Sequence, residues 1–167
     1  MSETKTKQKE TLISGMKTIE ISYKDFLNKF FPAFTELSAL PSNKNTGRLK
    51  YAVKRSLGSI QERLEGYNKA RQLIFEDRCK MDEGGNPIFD KDKNYTFESK
   101  DLRKEAFAEL EKLDKTIISL TIYPVRKENI VSGNSALSLI MELNLGGFII
   151  PTEEELKMLE EFEKEEV

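Results

Sequence analysis

Apolar residues recur at Leu49, Val53, Leu57, Ile60, Leu64, Tyr67 and Ile74, in steps of four and three with one gap of seven across Arg71. Such spacing lines one face of an α-helix and approaches a heptad seam. It predicts a helix over 47–80, roughly 50 Å long at 1.5 Å per residue. A helix of that length needs a partner along most of its seam, from this chain or from a second copy. Gly58 and Gly66 interrupt it; each costs about 1 kcal/mol relative to Ala. They read as tolerated surface positions, with close backbone approach as the alternative.

The other patterns are shorter. Lys17 to Ser22 alternates in the manner of an edge strand. Ser22 and Asp25 have the spacing of a capping box. The helix they open carries Phe26, Phe30, Phe31 and Phe34, a cluster that reads as core, with a partner-binding patch as the alternative. Pro32 lies inside this helix, so a kink or break is expected near 28–31. Asn86–Phe89 and Asn94–Phe97 flank Asp90–Lys93 and read as a small β-hairpin entered by the turn at 82–85. Ser99 caps a third helix, about 100–114, short enough to lie antiparallel along the second half of the long one. The first half is thereby left to other partners. Thr116 to Tyr123 is the strongest strand, with Ile118, Leu120 and Ile122 on one face and Pro124 ending it. Asn134 opens a short apolar helix over 135–143. Phe148 to Ile150 is expected to be extended before Pro151. Thr152 and Glu155 form a second capping box, which opens an acidic helix. No internal repeat is apparent.

These elements predict an α+β fold: a long helical hairpin, a small antiparallel sheet built from the 86–97 hairpin and 116–123, and flanking helices. Residues 1–18 read as a mobile N-terminal arm, 19–150 as one domain, and 151–167 as an acidic C-terminal helix.

Composition narrows the chemistry. The chain has 167 residues, enough for one domain with a modest core. There is no His, which removes the commonest general base and the commonest metal ligand. No Ser-His-Asp or Cys-His pair can form. The single Cys79 has no internal disulfide partner and reads as a semi-buried structural thiol. The polar start and the lack of an apolar run near ~20 residues point to a soluble intracellular protein without a membrane span. No carboxylate pair stands out among 29 acids, so no catalytic residue, no cofactor and no metal site is assigned.

One constellation resembles a cation loop. Asp90, Asp92, Asn94 and Asp101 stand where an EF-hand places four of its ligands. The loop has Tyr95 where the sharp turn needs Gly, and Asp where a bidentate Glu closes the site. Turn-forming residues explain the same letters.

Charge is unevenly laid out. Between Lys44 and Arg71 eight bases stand against two acids, and from Thr152 to Val167 eight Glu stand against two Lys. Two solvated faces would explain this. Head-to-tail complementarity is the more specific reading. It assigns interaction roles to Arg48, Lys50, Lys54 and Arg55 on the helix and to Glu160, Glu161 and Glu163 on the tail. Leu57 and Leu64 join them as seam contacts. Tyr51 is the only aromatic near the basic half, and the net charge is −2, which disfavours nucleic acid as a partner.

The order of features also resembles a known group. A helix ends in Leu40-Pro41, and a basic long helix contains Tyr67-Asn68-Lys69-Ala70-Arg71. Asp82-Glu83-Gly84-Gly85-Asn86-Pro87 and Asn94-Tyr95-Thr96-Phe97 follow, then a helix with Glu109-Leu110-Glu111 and an Ile-rich strand. Over roughly 30–125 this resembles a family of short tailed-bacteriophage and prophage proteins of unknown function. The resemblance implies a non-enzymatic phage protein, in the host cytoplasm during infection or in the virion. The expected function is structural or assembly work through self-association or docking of the long helix, with copies of itself or other phage proteins as partners. The alternative is a small phage-encoded binder that inhibits a host protein or sequesters a host signalling molecule.

Overall fold

The computed structural model describes residues 15–40, 47–127 and 144–150, and residues 153–154, 157–158 and 161 near the C-terminus. The expected arm, the caps at Asn45 or Thr46 and at Thr152, and the helix over 135–143 lie outside the described residues.

β1 (Lys17–Ser22) leads directly into a helix. Ser22 caps that helix, its hydroxyl accepting from Asp25 N at 3.1 Å. The helix, α1, has three consecutive parts: Tyr23–Asp25, a π-helical turn Phe26–Phe30, and Phe31–Ser38. The π turn is the structural answer to Pro32. Proline offers no N–H to the carbonyl four residues back and crowds it. One wider turn, with Phe31 N–H donating to Phe26 O, takes up the misfit just before the ring. Phe26, Phe30 and Phe34 are fully buried, so the cluster is core.

α2 (Gly47–Glu76) is the long helix. α3 (Lys100–Lys115) is capped by Ser99, which accepts from Leu102 N at 3.2 Å. It runs antiparallel to the second half of α2. The Tyr67–Asp114 hydrogen bond, the Phe75–Phe107 ring contact and the Arg78–Glu105 ion pair step along the two helices in opposite directions.

β2 (Ile117–Ile122) pairs antiparallel with β1, Lys17 opposite Ile122 and Ser22 opposite Ile117. This corrects the expected sheet, in which the 86–97 hairpin was the partner. Ile118, Leu120 and Ile122 are buried as the alternation predicts. A second, parallel pair joins β3 (Val125–Arg126) to β4 (Ile149–Ile150). Phe148, expected to be extended, ends a 3₁₀ turn at Gly146–Phe148.

The sheet lies on the first half of α2. The first half, which α3 was expected to leave to other partners, is therefore covered by the chain's own sheet. Three side chains on one face of α2 complete the open edge of β2. Ser56 Oγ accepts from Tyr123 N at 2.8 Å and Ser59 Oγ accepts from Thr121 N at 3.0 Å. Arg63 Nε donates to Ser119 O at 3.0 Å. The match is geometric. Three or four helical residues advance about 4.5–6 Å, close to the roughly 6.8 Å of two strand residues. Strand edges are otherwise open to foreign pairing.

This edge contact rotates the seam. Ala52 and Ser56 are fully buried, whereas Leu57 is 38% exposed. Leu64 is half-buried against the core. Phe75 is buried in place of its neighbour Ile74.

Candidate interaction surface

The far end of the α2–α3 hairpin is built by residues 79–97. They contain an internal repeat that the sequence reading missed. Asp82-Glu83-Gly84-Gly85-Asn86 and Asp90-Lys91-Asp92-Lys93-Asn94 fold into the same turn, eight residues apart. In the first, Asp82 Oδ1 accepts from Gly84 N and Asn86 N, both at 2.9 Å. In the second, Asp90 Oδ1 accepts from Asp92 N and Asn94 N, again at 2.9 Å. The fourth residue of each turn is left-handed, Gly85 at φ 78° and Lys93 at φ 63°. Each turn carries one β-bridge, Met81–Pro87 and Phe89–Tyr95, rather than a ladder. The expected β-hairpin is thus two consecutive turns.

The two turns close a ring. Lys80 N donates to Thr96 O, Ile88 N to Lys80 O, and Thr96 N to Ile88 O. Three residues spaced by eight therefore satisfy one another without a sheet. Asp90 carries its backbone bonds as Asp82 does, and the amides of Asn94 and Asp92 hold its carboxyl below the usual range. The same letters that suggest a cation loop are used to hold the turn. Among the described residues no cluster of three acidic or Cys side chains could hold a metal ion.

Against this ring packs a small aromatic cluster separate from the main core. Phe75 is buried at its centre. Tyr95 stacks on it at 5.0 Å, Phe107 meets it edge-on at 5.6 Å, and Phe89 lies 4.9 Å from Tyr95. The Arg71 guanidinium sits 5.0 Å over Phe75, and that of Arg103 sits 5.1 Å over Phe107. Arg71, the position that the apolar seam skips, is therefore a ring cover. Phe89 and Phe107 remain about half exposed, and Met81 and Ile88 in the turn units are open as well. Burial raises the pKa of the Tyr95 phenol. Cys79 is half-buried with its thiol toward Glu76 O, and burial pushes its pKa up too.

No family model, curated protein or solved structure matches this chain. The surface is therefore read from its own residues. Rings joined to guanidiniums and left half open are the composition of binding hot spots. The signal for this end lay in the repeated Asp-x-x-x-Asn spacing and the aromatic at its border.

The sequence-assigned interaction residues lie elsewhere in the chain. Arg48, Lys54 and Arg55 are on the exposed side of the first turns of α2. Lys50 Nζ donates to Ser38 O at 2.6 Å, a cation at the C-terminal end of α1. Leu57 borders the core and Leu64 packs against it. Glu161 is exposed; Glu160 and Glu163 lie outside the described residues. Ion pairs between described residues lie elsewhere, at Lys29–Asp25, Arg78–Glu105, Lys112–Glu109 and Lys115–Glu111. No described helix is long and apolar enough to cross a membrane.

Proposed function

We propose that this chain is a non-enzymatic bacteriophage structural or assembly protein, acting through the distal end of its long helical hairpin. The observation that carries this reading is the half-open ring cluster of Phe89, Tyr95, Phe75 and Phe107. A rigid tip of aromatics and guanidiniums loses little conformational entropy on docking. The partner is a second copy or another phage protein, in the host cytoplasm or the virion.

One observation favours the second reading, a small phage-encoded binder directed at a host protein or signalling molecule. The chain covers the seam of its own long helix, which leaves less surface for assembly into repeated copies. Sedimentation of the intact chain and of a Phe89→Ser/Phe107→Ser variant tests the two. Both positions are exposed, so the fold should persist. Self-association that disappears in the variant supports assembly. A monomer in both moves the reading to the binder. An oligomer unchanged in the variant rules out the tip as its contact. If the helix-to-tail charges contribute, about 0.5 M salt weakens the oligomer, because screening shortens to a Debye length well under 10 Å.

A further inference from the structure

Two guanidiniums border the aromatic cluster at the tip. Arg71 lies over Phe75 and Arg103 over Phe107, and these two rings meet edge-on at 5.6 Å. Both arginines are exposed, and neither is in an ion pair among the described residues. The nearby Arg78 is paired with Glu105 at 3.8 Å. Between residues 71 and 107 eight bases and nine acids nearly cancel, so the tip attracts no partner by net charge. What it offers is local. Two donor forks beside half-open rings fit a segment that carries carboxylates next to an apolar face.

The chain itself contains such a segment. Leu156, Leu159 and Phe162 recur at the spacing of one helical face. The same period puts Glu155, Glu160 and Glu163 on or beside that face, and Lys157 and Lys164 on the opposite side. Glu153, Glu154, Lys157, Met158 and Glu161 are helical. The segment starts from the wrong end of the molecule to meet its own tip. Ile150 lines one cavity with Gly47 and Arg48, at the start of α2. Arg71 stands 24 residues beyond Gly47 on that helix, roughly 36 Å away at 1.5 Å per residue. The 12 residues from Ile150 to Phe162 advance only about 18 Å in a helix.

We infer that the tip binds the acidic segment 152–163 of a second copy, so that copies join head to tail. Arg71 and Arg103 each gain a carboxylate, and Phe89 and Phe107 gain the apolar face. The contact is heterologous: every copy offers one tip and one tail, and such contacts build rings or open chains. This inference rests on the reading of the tip as an assembly contact and names the segment that fills it.

The test is sedimentation of three full-length chains: the parent, an Arg71→Glu/Arg103→Glu tip variant and a Glu160→Gln/Glu163→Gln tail variant. Circular dichroism confirms that each is folded. The parent should self-associate, and each variant should do so at least about tenfold more weakly. An equimolar mixture of the two variants should form a two-chain species and grow no further, because it holds one intact tip and one intact tail per pair. A mixture no more associated than its two components overturns the inference. A tail variant that associates like the parent, beside a tip variant that does not, overturns the inference alone and leaves the tip as a contact for some other surface. A tip variant that associates like the parent overturns both this inference and the reading of the tip. A monomeric parent overturns the inference as well and moves the function to the binder.

Discussion

Ser56 is a small residue with a large structural role. It is fully buried in α2. Its hydroxyl donates to Ala52 O and accepts from Tyr123 N, both at 2.8 Å. Sequence reading passes over it because a Ser between Arg55 and Leu57 looks like a solvated position. Burial is decided by the strand edge that needs an acceptor there. Ser56→Ala should therefore cost about 1–3 kcal/mol, the range for leaving a buried donor unpaired. Chemical denaturation checks this: the midpoint should fall while the denaturant slope is unchanged. A variant as stable as the parent would mean that water reaches Tyr123 N. Tyr67 shows a similar effect across the helices. Burial first, then the hydrogen bond to Asp114, pushes its phenol up to about 12.

At the scale of elements, α2 shows how a correct helix can be given a slightly wrong face. The 3–4 spacing placed Leu57 and Ile60 on the same seam. The structure buries Ile60 completely and leaves Leu57 at the border. The cause is the contact that Ser56, Ser59 and Arg63 make with β2, which a hydrophobic pattern cannot register. Ile60→Asp and Leu57→Asp separate the two pictures. An unpaired carboxylate at Ile60 should cost several kcal/mol or prevent folding, whereas at Leu57 the carboxylate can turn to water. Thermal melts of the pair should show a large gap between them. Equal losses would restore the sequence-derived seam. The π turn in α1 taught the opposite lesson, since Pro32 announced a local misfit and the structure placed it one turn upstream.

The molecule as a whole has two apolar assemblies. The main core joins α1, the first half of α2, β2 and the β3–β4 pair. The second is the tip cluster around Phe75, which lies outside that core and holds the two turn units to the hairpin. Separate cores open separately. Phe75→Ala removes the central ring, and such truncations cost about 3–5 kcal/mol in well-packed sites. The expected result is fast hydrogen exchange at Ile88 and Thr96, whose amides close the tip ring, with protection kept in β1 and β2. Exchange that rises everywhere at once would mean that the tip and the core form one cooperative unit.

The sequence by itself determined what depends on neighbours along the chain. The caps at Ser22 and Ser99, the helical periods, the alternation of Ile118, Leu120 and Ile122, and the stop at Pro124 are local, because each rests on contacts within a few residues. It also supplied the α+β class, since long helical and short alternating stretches leave few other arrangements. The tertiary structure decided what depends on residues far apart. Strand β2 could pair with any alternating segment; it took β1, because the candidate hairpin spends its backbone groups on its own turns and on the ring through Lys80, Ile88 and Thr96. The same long-range choice set the face of α2 and covered its first half. It also brought Arg48, Tyr51, Tyr123 and Arg126 around one cavity, since which distant side chains share a space follows from strand pairing and helix packing, not from spacing along the chain.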